Sequence, residues 1–85
     1  MKKYNELTVA RILSFTSDCV FDFSAWEKKK VLYQAYMDWH IKSKFIEPFP
    51  TMNMFGRILK SNFPNIESRP GVGNKSGWAG IRLKR

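Results

Sequence analysis

The side chains of this chain that could do chemistry are mostly cations, and they crowd toward one end. Fifteen Lys and Arg face seven Asp and Glu, for a net charge of +8 over 85 residues. Residues 1–49 hold eight of the cations and six of the acids. Residues 50–85 hold Arg57, Lys60, Arg69, Lys75, Arg82, Lys84 and Arg85 against Glu67 alone. Such lopsided charge predicts a face that meets a polyanion, nucleic acid first; a membrane surface and a merely solvated basic face are the alternatives.

Other chemistries lack their parts. The acids are scattered through connectors and helix surfaces, and no nucleophile has a histidine at hand. His40, the only histidine, is read as an exposed residue on a helix flank rather than a metal ligand, which would need companions. Cys19 is the only cysteine, so it makes no internal disulfide or cysteine metal site and reads as a small buried hydrophobe. GVGNKSG lacks the GxxxxGK[ST] spacing of a phosphate loop, and no helical pattern follows it. The expectation is a binding protein and not an enzyme, with no cofactor, no metal and no small-molecule substrate. MKKYNELTV lacks the apolar run of a secretion signal, and no stretch approaches the roughly 20 apolar residues of a membrane span. A cytoplasmic protein without membrane contact is expected.

One domain is all this length allows, with a core made dense by seven Phe, three Tyr and three Trp. A first helix is predicted over about 5–17, with Asn5 as N-cap and Val9, Ile12, Leu13 and Thr16 as its apolar stripe. DCVFDFSAW follows with a period of two, a short strand or extended connector whose Cys19, Phe21 and Phe23 point inward. Ser24 and Glu27 match a capping box, which starts a second helix over about 25–42 with Leu32, Ala35, Tyr36 and Trp39 on the core. Lys28, Lys29 and Lys30 oppose the dipole at that helix start. A phosphate backbone or plain solvation could favour them there.

Pro48 and Pro50 separate this helix from a third, capped by Thr51 and running over about 51–63. Met52, Phe55, Leu59 and Phe63 form its inward stripe, and Asn53, Arg57, Lys60 and Ser61 its outward polar face. Gly56 costs about 1 kcal/mol in a helix interior, which predicts close packing of another backbone there. A hairpin over about 65–84 closes the chain, with a glycine-rich tip near Asn74 and Lys75. On its return strand Ile81 and Leu83 face the core and Arg82 and Lys84 the solvent or a ligand, with Trp78 on their parity, either covering the hairpin or meeting a base. The order helix, short strand, helix, helix, strand, strand is that of an α+β fold, a small winged helix-turn-helix with an extra strand after its first helix.

LYQAYMDW, FGRILKSNF and WAGIRLK carry a resemblance to the RFX-type winged helix. They also resemble the C-terminal winged helix of poxvirus-like, phage and plasmid primase–helicases, over about residues 8–84. The resemblance implies a DNA-binding domain of a mobile-element replication system, either standing alone or cut from a larger primase–helicase. It further implies that the wing enters the major groove while helix three lies on the backbone. Arg69 and Lys75 match wing cations, Arg57 and Lys60 match basic positions of helix three, and Lys29 matches one at the start of helix two. This wing is shorter, with Glu67 where a cation is expected, which moves the weight onto phosphate contacts. The expected contact set is Lys28, Lys29, Asn53, Arg57, Lys60, Ser61, Arg69, Asn74, Lys75, Trp78, Arg82 and Lys84, on double-stranded DNA. Single-stranded DNA near a fork, stacked on Trp78 or another exposed aromatic, and docking to a replication primase or helicase or a transcription factor are the rival readings.

Overall fold

The structure, a computed structural model, describes residues 6–71, 73 and 75–84. Helix α1 (Glu6–Thr16) leads to strand β1 (Cys19–Lys28), helices α2 (Lys29–Lys42) and α3 (Met52–Asn62), and strands β2 (Glu67–Pro70) and β3 (Ser76–Leu83). The strands form one antiparallel sheet in the order β1-β3-β2. This is a small α+β arrangement of three helices and a three-stranded sheet. No helix among the described residues is long and apolar enough to cross a membrane.

Helix α3 begins as its sequence dictates. Thr51 is extended and its hydroxyl accepts the Met54 N–H at 3.2 Å, satisfying one of the free donors of the first turn. The predicted Asn5 cap of α1 lies outside the described residues. Helix α2 departs from expectation. Ser24-Ala-Trp-Glu27 is strand and not a capping box, and α2 starts at Lys29 with Lys28 at its N-cap and no side-chain cap. Pairing with β3 claims those residues: Trp26, Glu27 and Lys28 stand opposite Ala79, Trp78 and Gly77. Nor do the prolines end α2, which stops at Lys42 with Lys44 in the left-handed region (φ 60°).

Two irregularities set which side chains face inward. Between Phe21 and Trp26 β1 places four residues where β3 places only Gly80 between Ile81 and Ala79, so residues 22–25 bulge from the ladder. Phe21 and Phe23, expected in the core, are therefore 46% and 91% exposed. In β3, Gly80 takes φ +97°, which breaks the strict alternation and lets both Trp78 and Ile81 be buried.

The core gathers Ile12 and Phe15 from α1, Leu32 and Tyr36 from α2, Phe55, Ile58 and Leu59 from α3, with Ile66, Trp78 and Ile81. Phe15 is its aromatic centre, within 5.4 Å of Tyr36, 5.8 Å of Trp39 and 6.4 Å of Phe55 between ring centroids. Of the predicted stripes, Leu13 and Met52 turn outward, and Phe15 and Ile58 take the buried places. His40, expected at the surface, is 3% exposed beneath Phe45 and Phe49, whose rings stand edge-on to it. The connector after α2 folds back to cover it. Arg11 anchors that connector by donating to Glu47 Oε2 at 2.7 Å, and it lies 3.5 Å from the centre of the Phe45 ring.

Candidate nucleic-acid interface

The sheet register brings cations from three segments to one end of the molecule. Lys28 of β1 and Arg69 of β2 both stand opposite Gly77 of β3, so the three form one row across the sheet. The β2–β3 turn closes just beyond, where the Gly71 N–H donates to the Lys75 carbonyl at 2.7 Å. Gly73 at its tip has φ +73°. Asn74, expected to contact DNA at this tip, lies outside the described residues.

Like charges crowd that end. Contact with Lys75, then the Lys75 charge and more weakly that of Lys30, hold the Lys28 ammonium below the usual lysine range. Two ammonium groups brought near each other repel, and an anion between them would relieve the repulsion. Among the described residues, Lys28, Lys29, Lys30, Arg57 and Lys75 form no ion pair; the pairs that do form are Arg11–Glu47 and Arg69–Glu67, with His40 Nε2 3.5 Å from Glu47.

Trp78 organises this end from within. It is 7% exposed and belongs to the core, so it is not the base-stacking surface the alternation predicted. Its ring takes the Lys29 ammonium on one side, 4.5 Å from the centroid. It also packs on Gly56 of α3, where a β-carbon would come 2.8 Å from Cζ2. The close neighbour predicted at Gly56 is thus an indole and not a backbone. Through Trp78 the start of α2, the hairpin and α3 are held at fixed spacing. Asn53 and Lys60, three before and four after Gly56, share its side of α3 and flank the contact.

The outward face of α3 is as expected: Asn53, Arg57, Lys60 and Ser61 are all exposed. Lys60 bends to donate to the Ile66 carbonyl at 3.3 Å, and Arg57 is exposed with no ion pair among the described residues. Other expected contacts are diverted. Arg69 is turned onto Glu67, its Nη2 2.7 Å from Oε2. Arg82 donates to the Leu83 carbonyl. It stands five residues along β3 from Gly77, about 17 Å at the rise of a strand. Lys84 is exposed beyond the end of β3, farther still. Arg82 and Lys84 therefore do not join the cluster.

Sequence reasoning missed Trp26. Its indole lies over both Gly71 and Gly77, and its Nε1–H donates to the Arg69 carbonyl at 3.1 Å, binding β1 to β2 across β3. Half-buried, it lies two residues before Lys28 on β1 while its ring reaches the backbone of Arg69. Paired glycines on either side of a turn, with a tryptophan to cover them, were the signal. Among the described residues no group of His, Cys, Asp or Glu could hold a metal ion. Burial, with help from Asp18 and Glu27, pushes the Cys19 thiol up to about 11, far from thiolate chemistry. No family model, curated protein or solved structure matches this chain.

Proposed function

We propose that this chain is a winged-helix-like module that binds double-stranded DNA through its phosphates, with the β2–β3 hairpin as wing. One observation carries the reading: the register sets Lys28 beside the turn that carries Lys75, and among the described residues neither of them, nor Lys29 or Lys30, has a carboxylate partner. Like charges crowded in this way are stabilised by a polyanion. Helix α3 offers Asn53, Arg57, Lys60 and Ser61 beside them as backbone contacts, which position a protein on a duplex without reading its sequence. The resemblance to RFX-type and primase–helicase winged helices supports the same reading and suggests a role in replication of a mobile element, with a primase or helicase as partner.

The burial of Trp78 removes the main argument for single-stranded DNA, since a ring at 7% exposure has no free face for a base. Competition between duplex and single-stranded oligonucleotides of equal length tests the choice. Duplex should win; preference for the single strand overturns the duplex reading. No binding of either at low salt overturns nucleic-acid binding altogether.

A further inference from the structure

A groove of about 710 Å³ runs between the β1 bulge, the C-terminal end of α3 and β2. Phe21 and Phe63 form its apolar wall, their ring centroids 4.8 Å apart, and Phe23 stands at its rim with 91% of its surface exposed. The bulge holds that ring out. Asp22 accepts from both the N–H of Ser24, at 3.0 Å, and its hydroxyl, at 3.1 Å, a local turn that fixes residues 22–24 away from the ladder. A protruding aromatic beside an open aromatic groove marks a surface that meets a partner.

Charge identifies the partner. The charged residues lining the groove are Asp22, Glu67 and Arg69, two acids and a base in a chain whose net charge is +8. Two carboxylates disfavour a polyanion here. Two copies of the chain repel wherever cations dominate, but this patch carries both signs, so a two-fold related copy can bring Asp22 to the side of Arg69 that Glu67 does not hold. A two-fold interface joins a patch to itself and so needs knob and hole together. This patch has both, and β1 lies at an edge of the sheet, open to a second copy. We infer that the protein forms a two-fold dimer in which Phe23 of each copy enters the groove of the other.

The inference does not need DNA binding to hold, though the two surfaces share Arg69, and salt separates them. Screening the net charge strengthens an apolar contact between like-charged copies, whereas it weakens phosphate contacts. Sedimentation of the 10.0 kDa chain from about 1 μM to about 500 μM should show its mass doubling, at lower concentration as salt is raised. Phe23→Ser removes an exposed ring and should leave the circular-dichroism melt unchanged while weakening the dimer on the order of tenfold or more. Asp22→Lys should weaken it as well. Ile46→Ser, a comparably exposed apolar position away from the groove, should have no effect. A monomer at every concentration, or a dimer that Phe23→Ser leaves intact, overturns the inference.

Discussion

The indole of Trp26 lies across Gly77, and its Nε1–H reaches over β3 to the Arg69 carbonyl on β2. One side chain thereby ties together the three strands, of which β1 carries Lys28, β2 carries Arg69 and β3 follows directly on Lys75. Gly77 is glycine because a β-carbon there would collide with the ring. Gly77→Ala should displace Trp26 and destabilise the protein by about 1–3 kcal/mol, the usual range for overpacking. Thermal melts read that loss. DNA affinity measured well below the melting temperature should fall too, because the cation row loses its spacing; unchanged affinity would disconnect Trp26 from the interface.

Gly56 faces Trp78 in the same manner on the inner side, at 2.8 Å from a would-be β-carbon. Helix propensity alone favours Gly56→Ala by about 1 kcal/mol. Because a rigid, buried indole is the neighbour, the steric term should win, and the variant should melt lower than the wild type. A higher melting temperature would mean that Trp78 is free to move.

Glu67 holds Arg69 by two hydrogen bonds to one oxygen, from Nε at 3.0 Å and from Nη2 at 2.7 Å. Glu67→Gln removes a negative charge from the hairpin and releases a guanidinium. Duplex affinity should rise, and the salt slope should steepen by about 0.9, the value for one further phosphate contact. Titrations of both proteins at matched salt check this; equal or weaker binding by the variant contradicts it.

Acid should loosen the connector after α2. The hydrogen bond from Arg11 holds the Glu47 carboxyl below its ordinary 4.5, despite the opposing effect of desolvation. A depressed carboxylate pKa contributes stability above the unfolded value and loses it as pH falls through the folded one. The stability difference between wild type and Glu47→Gln should therefore shrink below about pH 4.5. Denaturant melts of both across pH 3 to 7 measure it, and a constant difference would show that the ion pair has no influence on folding.

Helices and the hairpin were legible because their signals are local. Thr51 capped α3, Leu32 and Tyr36 were buried, and Asn53, Arg57, Lys60 and Ser61 were exposed, as spacing required. The errors came from tertiary pairing. Ser24 to Glu27 satisfies a helix-start pattern, but β3 offers those residues a full ladder partner and wins. Strict alternation put Trp78 outside, and a single positive φ at Gly80 reversed it. His40 looked exposed because its cover, Phe45 and Phe49, comes from a connector with no periodicity to read. The cation cluster was half legible: charge counting found the basic C-terminal part, but only the β1–β3 register joins Lys28 to it.

The central claim is that the Lys28–Lys75 end neutralises DNA phosphates. Duplex affinity measured from about 50 to about 200 mM salt tests it most directly. The account predicts a log–log slope of about −4 to −5 for the wild type, reduced by about 2 in the Lys28→Gln, Lys75→Gln double variant. A flat wild-type response, or a double variant with the wild-type slope, would contradict it.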